Sequence, residues 1–214
     1  QLADKGNGNY AYIDTLQEAR KVLVDELAST LETIAGDVKV QIEFNPAQVT
    51  EYRLIGYENR LLAREDFNND RVDAGEVGAG HRVTALYEIT LAGQPPRIEP
   101  LRYGAVPVAA GETAATGGEL AFLKLRYKLP GHAESTLISQ AIATPTGQES
   151  ASERLRFAAA VAAFGQYLRG GTSLNGYTLA DIVTLASGAK GEDASGYRAE
   201  FIGLIKLAQA LQGA

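Results

Sequence analysis

The chain has 214 residues, of which 45% are hydrophobic and 21% are charged, a balance typical of a folded, core-forming protein rather than a disordered one. It contains no cysteine, which excludes thiolate catalysis, disulfide bonds and cysteine-ligated metal centres. The net charge of −6 argues against a nucleic-acid partner, because affinity for the phosphate backbone comes mainly from clustered Lys and Arg, and we expect no transmembrane segment because charges interrupt every apolar stretch.

The first predicted elements are a short β-prone run at residues 10–13 and an amphipathic helix over residues 15–34. Asp14 is followed three residues later by Gln17, which predicts a capping box at the start of this helix. Gly36 lies where a C-terminal cap is expected. The apolar stripe of the helix recurs at spacings of three and four residues and consists of Leu16, Val22, Leu23, Leu27, Leu31 and Ile34.

After residue 36 the hydrophobic period changes from 3.6 to 2, which is typical of strands with one buried face. In the first of these strands Val38, Val40, Ile42 and Phe44 are predicted to face the core, and the polar residues between them to face solvent. Further strands are predicted at residues 49–57, 83–91, 121–129 and 136–143. Several short alternating strands separated by turn residues indicate an antiparallel sandwich or barrel.

The last third of the chain returns to helical spacing. Ser150 with Glu153, and Thr178 with Asp181, are predicted capping boxes. A final helix is predicted over residues 196–211. A helix, then strands, then three helices is the order of an α+β protein and not of an alternating parallel-sheet fold.

An acidic loop at residues 66–76 is the segment best suited to bind a metal ion. Its candidate ligands are Asp66, Asn68, Asp70, Asp73 and Glu76, because oxygen ligands at alternate positions let the backbone wrap around a hard cation such as calcium. The match to a calcium loop is partial, since the sixth position is Arg and the twelfth is Val. A solvated turn that caps its own backbone and a docking surface remain the alternatives.

Other motifs give little support for catalysis. Residues 6–11 fit G-x-G-x-x-A, but they precede a β-prone run instead of following a strand, so the geometry of a dinucleotide site is missing. Residues 171–175 lack the final glycine of a nucleophile elbow. His81, at the end of the acidic loop, is a candidate member of a mixed carboxylate–imidazole site. We therefore predict that the chain is not an enzyme.

Two groups of stretches resemble a known family. Residues 2–14 and the helix that follows them resemble the last strand and helix of a bacterial von Willebrand factor A (VWA) domain. Residues 40–46, 51–60 and 65–81 resemble the C-terminal domain of the YfbK-type VWA proteins. The resemblance implies an exported or lipid-anchored protein of the cell envelope or periplasm, with any anchor in a region outside this chain. The VWA metal site of the family also lies outside it.

The predicted domain division is therefore residues 1–36 as the end of a VWA domain, 37–147 as a β-sandwich and 148–214 as a helical subdomain. The predicted function is a non-enzymatic accessory domain that supports its own VWA domain or binds an unknown protein partner, without a cofactor. The interacting residues would be Leu16, Leu23, Leu27 and Leu31, and a homodimer is a further expectation because these side chains form an apolar patch. The alternative is a calcium-binding or metal-dependent hydrolytic module centred on residues 66–81.

Overall fold

The computed structural model describes residues 11–25, 27, 32–56, 61–99, 118–145, 150–171, 173–174 and 176–212. The chain divides into two compact units. One consists of Gln1–Tyr52, Glu58–Thr84 and Ile89–Thr144, and the other of Arg53–Tyr57, Ala85–Glu88 and Pro145–Ala214. No helix within the described ranges has the length and apolar character that crossing a membrane requires.

The N-terminal helix is shorter and begins later than the sequence predicts. Helix α1 spans Leu16–Arg20 and continues as a π-helical turn over Lys21–Asp25. Its N-cap is Thr15, whose hydroxyl accepts from the Glu18 amide at 3.1 Å, so the predicted Asp14 cap is wrong. Residues 11–14 form no strand, contrary to the prediction for residues 10–13, of which residue 10 lies outside the described part.

Strand β1 spans Thr33–Phe44, which corrects the predicted end of the first helix. Ile34 and Gly36 belong to this strand and not to a helix and its cap. The cause is pairing with strands on both sides, since Thr33 lies opposite Gly78 and Gly36 opposite Lys128. These distant partners override the helical spacing of Ile34. Leu31 lies outside the described residues.

The larger sheet has four antiparallel strands in the order β3-β1-β5-β6. Strand β3 spans Gly75–Gly78, β5 spans Glu119–Lys128 and β6 spans Thr136–Ala143. In the pairing of β1 with β5, Val40 lies opposite Leu125 and Ile42 opposite Leu123. The smaller sheet pairs β2 (Val49–Ile55) with β4 (Leu86–Leu91).

Strand β1 contains an irregularity near its start. Pairing shifts between Gly36 and Lys39 on the β5 side and between Ala35 and Val38 on the β3 side, as in a β-bulge. Asp37 lies within it at a φ of +51°, in the left-handed region that Asp tolerates better than most residues.

The burial pattern of β1 differs from the predicted one. Lys39 is only 3% exposed, whereas Val40 is 51% exposed. The polar face of this strand is covered because the acidic loop, which begins in a 3₁₀ turn over Arg64–Asn68, packs over it through Lys39. Buried Phe67 anchors this turn.

Three helices form the C-terminal part: α2 (Glu153–Leu168), α3 (Leu179–Gly188) and α4 (Tyr197–Gln212). The N-cap of α2 is Ser152, which accepts from the Leu155 amide at 3.2 Å, so the predicted Ser150 cap is wrong by two residues. The predicted capping box of Thr178 and Asp181 is confirmed.

A single apolar cluster holds the three helices together. Its buried members are Ala160, Phe164, Leu179, Ile182, Ala186, Ile202 and Ile205. The Phe201 ring packs edge-on against Phe164, with centroids 5.7 Å apart. The order of one helix, antiparallel strands in two sheets and three helices confirms the predicted α+β class.

Candidate functional site

Two lysines of the sheet hold the acidic loop by its backbone. The Lys39 ammonium donates to the carbonyl oxygens of Asp66, at 3.5 Å, and Asn69. The Lys128 ammonium donates to the carbonyl of Asp70 at 2.7 Å and forms an ion pair with Asp37 at 2.6 Å. Carbonyl oxygens that would otherwise be available to a cation are therefore occupied by ammonium groups.

The Asp70 carboxylate is also fully engaged. Ser135 donates its hydroxyl to Oδ1 at 2.6 Å and its amide to Oδ2 at 3.3 Å, and Arg126 approaches Oδ1 at 3.5 Å. These hydrogen bonds from Ser135, with the charges of Arg126 and Lys128, hold the pKa of Asp70 below its ordinary value. The loop is thus fastened to the sheet through side chains as well as backbone.

Asp37, in the irregular part of β1, completes this arrangement. Burial raises the pKa of its carboxyl group, but the hydrogen bond and charge of Lys128 and the amide of Ala74 outweigh burial, so that the pKa is lowered overall. The Ala74 amide lies 3.2 Å from Oδ1. The Asp37 carboxylate therefore holds the acidic loop in place at Ala74.

The predicted metal ligands do not converge on one point. Asp66 and Asp70 are half-buried, whereas Asn68, Asp73 and Glu76 are exposed, and Glu76 belongs to β3. Across the described ranges, no three or more His, Asp or Glu side chains are grouped closely enough to hold a metal ion. His81 is exposed, and its amide donates to the Gly78 carbonyl at 3.0 Å. Calcium binding stays a prediction, and the geometry lends it no support.

Metal titration tests the two interpretations of the loop directly. Because lysines already bond the carbonyls of Asp66, Asn69 and Asp70, and the candidate side chains do not converge, we expect calcium, magnesium, manganese and zinc to leave the melting temperature of the chelated protein unchanged. A metal that binds the folded state adds about 2.7 kcal/mol of stability at roughly 100 times its dissociation constant. A melting temperature that rises with the concentration of any one metal would establish the site.

The predicted interaction residues present an apolar surface. Leu16 is 87% exposed, Leu23 is 60% exposed and Leu27 is 45% exposed; the fourth, Leu31, lies outside the described residues. Tyr12 and Val24 are exposed as well. We call these five exposed apolar residues, which lie on or near the first helix, the α1 surface (Tyr12, Leu16, Leu23, Val24 and Leu27).

Sequence reasoning missed the cations of the loop site. Lys39 is predicted to face solvent because it alternates with apolar residues, and no contact with the acidic loop is predicted for Arg126 or Lys128. A signal was nevertheless present: a later predicted strand, at residues 121–129, contains three basic residues, Lys124, Arg126 and Lys128. Opposite charges concentrated in two segments are a reason to expect contact between them.

Comparison with known proteins decides the family. The model of the family described as "Uncharacterized protein YfbK, C-terminal" matches residues 29–211. The chain belongs to the YfbK C-terminal family. The predicted resemblance is thereby confirmed for the part that follows the first helix.

A curated YfbK relative matches over a longer stretch. "Uncharacterized protein YfbK" of Escherichia coli (strain K12) is 54% identical over 213 residues, which cover 99% of this chain and 36% of the relative. The chain thus spans about a third of the length of that YfbK protein. No solved structure matches the chain.

Proposed function

We propose that this chain is a non-enzymatic accessory domain that docks through the α1 surface onto the remainder of a longer YfbK-type protein. By resemblance, that remainder contains a VWA domain and the protein belongs to the cell envelope. The observation that carries the proposal is the exposure of Leu16, Leu23 and Leu27. Burying a leucine side chain is favourable by about 1.5–3 kcal/mol, and a contiguous exposed apolar patch is typical of a binding site.

The titration behaviour of the described residues supports a structural role. Clear pKa shifts occur at five carboxyl groups in the described ranges, and all five are lowered: Asp37, Glu51, Asp70, Asp181 and Asp193. A carboxyl group is most effective as a general acid or base near neutral pH when its pKa is raised toward that pH. Lowered values instead accompany carboxylates that accept hydrogen bonds within the fold.

Glu51 illustrates such a structural carboxylate. Its oxygens accept from the backbone amides of Arg97 and Ile98 at 2.9 and 3.0 Å and from the Thr90 hydroxyl at 3.0 Å. The hydrogen bonds from these two amides lower its pKa. The Glu51 carboxylate thus holds the backbone that follows β4.

Calorimetry with the remainder of the E. coli relative tests the docking proposal. The part of E. coli YfbK that this chain does not match should bind the chain. The double variant Leu16→Ser/Leu23→Ser should weaken this binding at least about tenfold, because two central apolar contacts are lost. Leu61→Ser is the matched control, since Leu61 is also strongly exposed in the same compact unit but lies outside the α1 surface. Equal affinity for the double variant and the wild-type chain would refute docking through α1.

A further inference from the structure

Strand β6 is the long outer edge of the larger sheet. Within the described ranges it pairs only with β5, and this pairing runs without interruption from Thr136 to Ile142. The opposite edge of the sheet, β3, has only four residues. Every residue of β6 except Ile142 is exposed. The side of β6 that faces away from β5 is therefore open to solvent.

Strand β6 lacks the features that usually protect an edge from pairing. Natural edge strands are blunted by charged side chains, by proline or by being very short. The sequence of β6, TLISQAIA, contains no charged residue and no proline. Every second residue of an antiparallel edge strand turns its N–H and C=O groups outward, where another extended backbone can bond to them. The backbone of β6 is therefore suited to the addition of a strand.

One cation beside this edge has no anionic partner in the described part of the chain. Lys124 of β5 lies directly opposite Ser139 of β6. Arg126 and Lys128 of the same strand each form an ion pair with a carboxylate, whereas the ammonium of Lys124 lies only near an aromatic ring, 5.8 Å from the centroid of Phe122. A strand added outside β6 lies roughly 9–10 Å from β5. Because the Ser139 side chain is small, it leaves room for Lys124 to extend toward an acidic side chain on that strand.

The other face of the sheet asks for an apolar residue at the next position. Val40 of β1 lies opposite Leu125 of β5, and Leu125 lies opposite Ile138 of β6. Val40 and Ile138 are 51% and 50% exposed. An apolar residue facing Ile138 would extend this row and remove apolar surface from water, which is favourable. Since successive side chains of a strand point to opposite faces, the acidic residue and the apolar residue are neighbours in the added strand.

We propose that β6 accepts an extended segment of another protein as an additional outer strand, and that this segment places an acidic residue opposite Ser139 beside an apolar residue. In such complexes the main-chain hydrogen bonds provide affinity and the alternate side chains provide specificity. A second copy of β6 fits less well, because its sequence offers no carboxylate to Lys124. The edge of β6 is a different surface from the α1 surface, so either can fail without the other.

Three synthetic peptides test the preference for an acidic residue. They have the sequence Thr-Val-Thr-Val-Glu-Val-Thr-Val-Thr, with Glu, Gln or Lys at the centre, and calorimetry measures their binding to the whole chain. We expect the Glu peptide to bind about two- to fivefold more tightly than the Gln peptide, as for other opposite-charge pairs across strands, and the Lys peptide to bind most weakly. Lys124→Gln should abolish the difference between the Glu and Gln peptides. Equal affinity of the wild-type chain for all three overturns the proposal.

The variant Ser139→Glu tests the same preference from the side of the chain. The new carboxylate lies directly opposite Lys124, where an opposite-charge pair stabilises the sheet, so the variant is expected to fold. It neutralises Lys124 and repels the acidic peptide, and we expect it to weaken binding of the Glu peptide at least about fivefold. Ser139→Gln is the matched control, because it adds a side chain of the same size without charge. The proposal is wrong if the two variants bind the Glu peptide equally well.

Amide hydrogen exchange shows where the peptide binds. With the Glu peptide in excess, amides of β6 should gain protection from exchange, whereas those of the other edge strand, β3, should not change. Absence of binding by every peptide, or protection confined to another part of the chain, refutes strand addition at β6. Protection of β6 that rises with protein concentration in the absence of peptide would show that a second copy occupies the edge, and this too overturns the proposal.

Discussion

Replacing Lys39 by alanine is expected to lower the free energy of unfolding by about 2–4 kcal/mol. The ammonium group of this almost fully buried lysine satisfies the carbonyls of Asp66 and Asn69. Without it, the carbonyls of Asp66 and Asn69 keep only the backbone amides of Asn69 and Val72 as donors. Two hydrogen bonds from a charged donor are lost, and such bonds contribute about 1.5–3 kcal/mol each. Chemical denaturation measures the loss.

Two further variants separate the causes of this loss. Lys39→Met keeps an apolar chain of similar length but removes the donor, and should retain part of the effect. Lys124→Ala is the control, because Lys124 lies on the same face of the sheet, with its ammonium 5.8 Å from the Phe122 ring; it should cost less than about 1 kcal/mol. Equal losses for Lys39→Ala and Lys124→Ala would show that the loop is not held by Lys39.

Replacing Ile205 by alanine should cost about 2–5 kcal/mol, since this side chain is fully buried in the cluster that joins the three C-terminal helices. Leu204 lies next to Ile205 on the same helix, and Leu204→Ala removes nearly the same side-chain volume. The Leu204 side chain, however, is exposed. At a protein concentration where the chain is monomeric, Leu204→Ala should change stability by less than about 0.5 kcal/mol. Similar losses for the two variants would mean that the assigned inner and outer faces of α4 are wrong.

Alternation and capping signals located many of the elements. Strand β6 lies at residues 136–143, as predicted, because the turn residues Pro130 and Gly131 precede it and mark where the chain can enter a new strand. The third helix begins where Thr178 and Asp181 predicted it. These local signals work where the interactions that fix an element lie within the element itself.

Errors arose where distant partners decide the outcome. Alternation in β1 shows that its two faces differ, but it does not show which face another segment covers, and Lys39 is buried because a loop 30 residues away packs on the polar face. Likewise the acidic loop was recognised as a unit, whereas its cationic partners were not, because Arg126 and Ser135 lie 56 and 65 residues from Asp70. The choice between Ser150 and Ser152 as a cap is a local ambiguity, since both serines precede an acidic residue.

The distance in sequence between Asp70 and its partners has a consequence for the order of folding. Closing a loop of this length costs entropy before any contact stabilises it, and contacts between distant residues form slowly. The side chains of Lys39, Lys128 and Ser135, which fasten the acidic loop to the sheet, reach it only when β1, β5 and the segment before β6 have assembled beside it. Ordering of the loop is therefore a late event that reports completion of the sheet, and a protease that cleaves within residues 66–74 would distinguish chains with a finished sheet from chains still assembling one.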